Sequence, residues 1–191
     1  QRGKEQQSLI LGAYSGETNF SEDMELKIQA VSEVLNIRII EELREKIQGI
    51  YGGGTNASLG KIPYQRYSFM LQLPCGPEKV DTLLKAVQAE FASIASKGPD
   101  QSYLDKVKQQ WKEQYKASLK DNNTWLGNII DLKEKKGDPR RFVNYEQFVD
   151  KLTVKDLQQA AKLLFDSKNK FIAVLMPEGA KPLEAEKKKA F

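Results

Sequence analysis

An arginine and a tyrosine flank a predicted turn, and both have side chains that can bind a peptide. Arg44 lies in the sequence LREKIQGIY at residues 43–51, and Tyr51 follows it by seven residues. A guanidinium and a phenol can each donate hydrogen bonds to a peptide carbonyl or to a developing oxyanion. The structural alternative is a salt bridge of Arg44 at a helix end and a core position for Tyr51. Spacing alone favours that alternative.

Three consecutive glycines, Gly52, Gly53 and Gly54, follow Tyr51 directly. They have neither the G-x-x-x-x-G-K-[ST] pattern nor the strand-to-helix context of a phosphate-binding loop. We expect Gly52 and Gly54 to let another backbone approach closely, because glycine has no side chain. The triplet therefore predicts a strand edge that pairs with an extended peptide, and its three residues are the predicted substrate-binding residues.

A long apolar helix is predicted to lead into this turn. Ser21 is a plausible N-cap, and Gly49 is the residue type that ends a helix in a left-handed conformation. After Gly49 the period changes to two, which predicts a strand from about residue 50 to residue 59. The apolar residues that recur at helical spacing are Ile28, Val31, Leu35, Ile39 and Leu43.

The remaining order of elements predicts an α+β fold with a mainly antiparallel sheet and helices packed on one face. The apolar run at residues 8–14 predicts a strand buried on both faces. Later segments predict a returning hairpin strand, several helices and a closing strand at residues 170–176. Residues 1–7 are assigned to a polar arm or linker, residues 8–178 to a single domain, and residues 179–191 to a charged tail.

The junction resembles a motif of the pitrilysin/insulinase metallopeptidases, the inverted zincins. The motif is LRE-K-x-x-G-x-x-Y, preceded by an apolar helix and followed by glycines. The order of elements from Ser8 to about Pro177 is also similar to the later part of one of the family's repeated halves. The resemblance implies the carboxy-terminal, non-zinc-binding domain of such an enzyme. It also implies that Arg44 and Tyr51 reach the zinc site in the other half and contact the substrate or the transition state.

The chain departs from this family in one decisive respect, since it contains no histidine. It therefore cannot form the family's H-x-x-E-H zinc site, nor a Ser-His or Cys-His catalytic system. The single cysteine, Cys75, excludes a disulfide within the chain and a cysteine metal cluster. No metal and no cofactor are predicted in this segment. The resemblance implies zinc in the other half of the complete enzyme, on the same chain or on a separate subunit, and a peptide as substrate.

Composition excludes several other classes of protein. The 191 residues are 40% hydrophobic and carry a net charge of +4, which suits one folded domain. No basic block is interleaved with aromatic residues, so nucleic acid is not a predicted partner. No stretch approaches the length of a membrane span. Bacterial members of the family are often periplasmic, so the resemblance favours the periplasm or the cell envelope.

Other polar clusters favour surface roles. Glu41, Glu42 and Glu45 could do acid–base chemistry, but ion pairing on the helix surface is the better interpretation. Arg140 and Arg141 could meet an acidic substrate, but a solvated loop is favoured.

Functions of different classes stay open. The first is a part of a zinc metallopeptidase that is not catalytic alone, and retention of both Arg44 and Tyr51 favours it. The second is a non-catalytic subunit or peptide-binding module of the same fold. The third is a relative by fold alone with an unrelated role.

Overall fold

The structure, a computed structural model, describes residues 7–46, 50 and 52–180, apart from the side chains at positions 40 and 44–46. Its strands are β1 (Ser8–Glu17), β2 (Gly54–Gly60), β3 (Arg66–Cys75) and β4 (Asn169–Leu175). Its helices are α1 (Glu22–Arg38), α2 (Val80–Lys97), α3 (Gln101–Ser118), α4 (Asn122–Lys135), α5 (Pro139–Val143), α6 (Tyr145–Asp150) and α7 (Val154–Phe165). A π-helix (Ile39–Lys46) continues α1 directly, and a 3₁₀ turn (Pro77–Lys79) precedes α2.

The four strands form one antiparallel sheet in the order β2-β3-β1-β4. Ala57 of β2 lies opposite Phe69 of β3, and Phe69 lies opposite Tyr14 of β1. These three residues are buried under helices on one face of the sheet. The predicted α+β architecture with helices on one face is therefore confirmed.

The expectation that β1 is buried on both faces is wrong. Ile10 and Tyr14 are buried beneath the helices, but Leu9, Leu11 and Ala13 point to the other face and are half-buried. An almost continuous apolar run does not distinguish full burial from a second face that is apolar and partly exposed. Met70 of β3 shares that second face with 49% of its surface exposed.

An aromatic cluster joins the sheet to the helices at the centre of the core. Phe91 of α2 and Phe165 of α7 stack in parallel with their ring centroids 4.3 Å apart. Both rings meet Phe69 and Tyr14 edge to face, at centroid distances between 5.0 and 5.9 Å. Edge-to-face and stacked arrangements are the ones that aromatic quadrupoles favour. This cluster fixes α2 and α7 on the same face of the sheet.

The helix before the junction begins as predicted and changes type before it ends. Ser21 is the N-cap of α1, and its hydroxyl accepts a hydrogen bond from the backbone N–H of Met24 at 3.1 Å. From Ile39 the segment is a π-helix, which the sequence did not predict. Apolar residues four apart drift by about 40° per step in an α-helix with 3.6 residues per turn. The wider π turn offsets this drift, so Leu35, Ile39 and Leu43 all stay buried.

The closing strand, expected at residues 170–176, is β4 at Asn169–Leu175. Gly98 ends α2 with φ at 78°, and Thr153 and Asp156 form a capping box at the start of α7. β2 begins at Gly54, later than expected, and Ile50 forms only an isolated bridge. No helix within the described part of the chain is long and apolar enough to cross a membrane.

Candidate functional site

The candidate site is the junction between α1 and β2, which we define as residues 36–55. The backbone of Arg44 lies in the π-helix, but its side chain lies outside the described part of the structure, as does the whole of Tyr51. Gly52, Gly53 and Gly54 are described. The approach of Arg44 to Tyr51 therefore stays a prediction, and what the structure defines is the framework that holds them.

The side-chain amide of Asn36, at the start of the junction, forms hydrogen bonds with the backbone at its end. Asn36 Oδ1 accepts a hydrogen bond from the backbone N–H of Thr55 at 2.6 Å, and Asn36 Nδ2 donates to the carbonyl oxygen of Thr55 at 3.1 Å. One turn earlier, the Thr55 hydroxyl donates to the carbonyl oxygen of Ser32 at 3.0 Å and lies 2.9 Å from the Ser32 hydroxyl. The last turns of α1 and the start of β2 are therefore held in one register.

The Asn36 amide occupies the free edge of β2 at Thr55. In an antiparallel ladder a residue presents its N–H and C=O either to the paired strand or away from it. Because Asn36 binds both groups of Thr55, they face away from β3. An extended peptide therefore cannot pair with β2 at Thr55 while Asn36 is in place, and pairing at the glycine triplet before Thr55 stays a prediction.

A second set of contacts holds the other side of the helix. Arg38 binds Glu90 of α2 with two hydrogen bonds, from Nε at 2.5 Å and from Nη2 at 2.9 Å. Glu41 of the π-helix accepts hydrogen bonds from the Tyr103 hydroxyl at 2.6 Å and from Lys106 at 3.1 Å. The Tyr103 hydrogen bond is the main reason why the pKa of Glu41 lies below its ordinary value. Glu41 is thus an ionised partner of α3, as the ion-pairing interpretation predicted.

The end of the junction is fixed against β3. Ile50 forms an antiparallel bridge with Cys75, the last residue of β3. Cys75 is fully buried, and burial raises the pKa of its thiol to about 11. The thiol therefore stays protonated at neutral pH, which suits a structural position at the end of the strand.

Gly53 is the glycine that another backbone approaches closely. Its φ is +95°, and a Cβ added there would overlap the carbonyl oxygen of Gln72 and lie 2.9 Å from Cδ of Pro74. A Cβ at Gly52 would meet nothing within 4 Å, and one at Gly54 would lie 2.8 Å from Asn36 Oδ1. Within the described residues, another part of the chain's own backbone approaches the triplet at Gly53, and the approach of a peptide to Gly52 and Gly54 stays a prediction. Gly53 lets the chain pass over β3 before β2 begins.

Sequence reasoning missed the polar residues that organise the junction. Ser32 and Asn36 lie four residues apart on a helix whose neighbouring positions are apolar, and this spacing places them on one face. A polar pair inside an apolar face needs partners when it is buried, and that signal was present in the sequence. The partner, Thr55, could not be named without the fold.

The adjacent arginines Arg140 and Arg141 form ion pairs. Arg140 binds Asp138 at 2.8 Å, and Arg141 binds Asp23 at 2.5 Å while its guanidinium lies 4.1 Å from the centroid of the Phe148 ring. The two arginines start a short helix, α5, and not a loop. Among the described residues, no group of three or more His, Cys, Asp or Glu side chains is arranged to hold a metal ion.

Comparison with known proteins identifies the family. The sequence profile of the family described as "Peptidase M16 inactive domain" matches residues 3–111, a range that ends within α3. The chain belongs to this family. The resemblance to the pitrilysin-type peptidases is thereby confirmed, and the M16 domain in question is the inactive one. No curated protein sequence matches the chain significantly.

Solved structures of M16 proteins and other proteases share the fold. The periplasmic protease PqqL from Escherichia coli has a TM-score of 0.78 at 19% identity, over 92% of this chain and 20% of its own. A protease from Helicobacter pylori has a TM-score of 0.77 at 18% sequence identity, and the match covers 92% of this chain and 43% of that protein. A peptidase M16 inactive domain from Pseudomonas fluorescens has a TM-score of 0.76 at 21% sequence identity, and the match covers 93% of this chain and 42% of that protein. The chain thus spans a fifth to about two fifths of these proteins.

A substitution at Gly53 tests how tightly the junction is held. We expect Gly53→Ala to lower the free energy of unfolding by at least about 1–3 kcal/mol, because alanine at positive φ is strained and its Cβ overlaps Gln72. Gly52→Ala is the matched control and should change it by no more than about 0.5 kcal/mol. Urea unfolding followed by circular dichroism measures both, and equal effects of the two substitutions would contradict the described path of the chain.

Removal of the Asn36 amide tests the hydrogen bonds that join α1 to β2 across the junction. Asn36→Ala leaves the backbone groups of Thr55 without their partner, so we expect a loss of about 1–3 kcal/mol in the free energy of unfolding. Hydrogen exchange of the Thr55 amide should become faster in the same variant. Asn56→Ala is the control, because the Asn56 side chain is exposed on the opposite face of β2. If exchange at Thr55 is the same in both variants, Asn36 does not hold this edge.

Proposed function

We propose that this chain is the non-zinc-binding domain of a zinc metallopeptidase, in which Arg44 and Tyr51 contact the substrate or the transition state. The observation that carries the proposal is that the junction bearing both residues is held at both ends. Asn36 and Arg38 fix the helix before Arg44, and the Ile50–Cys75 bridge fixes the position before Tyr51. A junction held in this way is what a site needs to present side chains in a defined position.

The π-helix is a second support for a functional role of the junction. π-helical turns are rare and often occur at functional sites. Here the π-helix contains Arg44, and its Glu41 is bound by α3. The position of a side chain on this segment therefore depends on contacts with α3, which suits a residue that must reach into another part of a protein.

The chemistry proposed for the two residues follows from their types. The guanidinium of Arg44 donates several hydrogen bonds in a fixed plane and would hold a peptide carbonyl or carboxylate. The hydroxyl of Tyr51 would donate to the oxyanion that forms when the scissile carbonyl is attacked. The chain has no histidine with which to form the family's zinc site, so the metal and its ligands would belong to the other half of the enzyme.

The glycine triplet precedes the point at which the edge of β2 is occupied. Asn36 binds that edge at Thr55, so a peptide would contact the backbone of Gly52, Gly53 and Gly54 rather than that of Thr55. A Cβ at Gly52 would point into open space, which leaves room for a peptide beside it. We propose that the triplet is a contact surface for the substrate backbone next to Tyr51.

A second candidate is a non-catalytic subunit or peptide-binding module of the same fold. The description of the matching family as an inactive domain favours it. In that case Arg44 and Tyr51 would bind a peptide without affecting a chemical step. The zinc-binding partner would then bear the whole of the activity.

Substitution of Tyr51 separates these two functions. In the complete enzyme, with its zinc-binding half, we expect Tyr51→Phe to lower kcat by about 100-fold, as the loss of one oxyanion donor does. KM should change little, because the hydrogen bond forms mainly in the transition state. Steady-state peptide hydrolysis measures both constants.

Tyr64→Phe is the matched control for the Tyr51 experiment. Tyr64 is 53% exposed in the turn between β2 and β3, and its loss of a hydroxyl should leave kcat unchanged. An unchanged kcat in Tyr51→Phe would rule out the transition-state role. A raised KM with an unchanged kcat would instead support the peptide-binding module.

A further inference from the structure

Helix α4 turns its apolar side away from the domain. Four large apolar residues, Trp125, Leu126, Ile129 and Ile130, are between 41% and 60% exposed. At 100° per residue they lie on one face of the helix, and we call them the α4 stripe. All of α4 lies within the described residues, and none of its side chains is buried.

The inner side of α4 is mostly polar. Asn128, Asp131 and the half-buried Leu132 line a cavity between α4 and α1, and Lys135 binds Asp131 at 3.0 Å and Glu25 of α1 at 3.2 Å. A surface helix of a soluble domain ordinarily has the opposite arrangement, with its apolar face inward. The reversed arrangement of α4 indicates that its outer face is made to contact something else.

The α4 stripe is held in place before any partner binds. The indole N–H of Trp125 donates to the carbonyl oxygen of Leu119 at 2.9 Å, and its ring meets Phe142 edge to face at 5.0 Å. The helix is anchored at its other end, where the ammonium of Lys61 donates to the carbonyl oxygen of Lys135. A preorganised apolar surface loses little conformational entropy on binding.

The α4 stripe and the junction lie at opposite ends of β2. Lys61, which binds α4, directly follows Gly60 at one end of the strand, and Gly54 is at the other. Seven residues of strand separate the two ends by about 20 Å. The α4 stripe therefore does not belong to the candidate substrate site.

We propose that the α4 stripe attaches this domain to the remaining part of the longer peptidase, through an uncharged aliphatic surface on that part. The inference rests on the proposed function. The chain spans only 20%, 43% and 42% of three proteins that share its fold, so most of such a protein lies outside it. Large exposed apolar patches on folded domains mark sites of protein contact. The polar residues Asn122 and Lys133 flank the α4 stripe along the helix, so its centre is the part that a partner would cover.

Hydrogen exchange of α4 tests this attachment. The probe is the 191-residue chain alone and the same chain within the complete protein, each as the wild type and with Leu126→Glu and Ile129→Glu combined. We expect the α4 amides to exchange at least about 10-fold more slowly in the complete protein, because buried helices open less often. The double substitution should abolish that difference, since two carboxylates cannot be buried against an aliphatic surface.

The isolated chain provides the first control. Its melting temperature should change by no more than about 2 °C on the double substitution, because the stripe is exposed there. Ile62→Glu is the second control, since Ile62 is 65% exposed in the β2–β3 turn and should leave α4 exchange unchanged in both proteins.

Three results would overturn the proposal. Equal exchange of α4 in the chain and the complete protein would mean that nothing covers the stripe. A large loss of stability in the isolated chain would mean that the stripe is already covered within it. Concentration-dependent protection in the isolated chain would assign the surface to a second copy. None of these results bears on kcat of Tyr51→Phe, which reports on the other end of the domain.

Discussion

The pairing of the Asn36 amide with the backbone of Thr55 is the constraint on which the junction depends. These residues are 19 positions apart, and between them the chain leaves a helix, turns and starts a strand. The amide substitutes for a neighbouring strand, because it both accepts from the N–H and donates to the C=O of one residue. It thereby fixes where the turn begins and ends. The same contact occupies the edge of β2, so it restricts where a peptide can bind.

The one-sided core supports the helix that leads into the junction. The aromatic cluster of Tyr14, Phe69, Phe91 and Phe165 holds α2 and α7 against the sheet, and Arg38 then links the end of α1 to α2. The helix before Arg44 is consequently supported by the core. The π-helix lets this supported helix keep Ile39 and Leu43 buried up to the last described turn before Gly49.

Sequence patterns predicted where helices and strands lie better than they predicted which of their faces are buried. The apolar spacing of α1 and the alternation along β3 were sufficient, because the first fits a helix and not a strand and the second fits a strand and not a helix. The π-helix was missed because a spacing of four fits both helix types. The outward stripe of α4 was missed for a different reason: periodicity assigns Trp125 and Ile129 to one face but does not say whether that face is inside. The half-buried second face of β1 was missed in the same way.

The sequence motif led to the candidate site residues, but it did not lead to the residues that hold the junction in place. Arg44, Tyr51 and the three glycines follow from the residues of the junction, whereas Asn36 and Thr55 became recognisable only when the fold brought them together. The most direct test is a structure of the complete protein with an uncleaved peptide bound. The account predicts the Tyr51 hydroxyl within hydrogen-bond distance of the scissile carbonyl oxygen, about 2.6–3.2 Å. A Tyr51 ring packed in the core, away from the peptide, would contradict it.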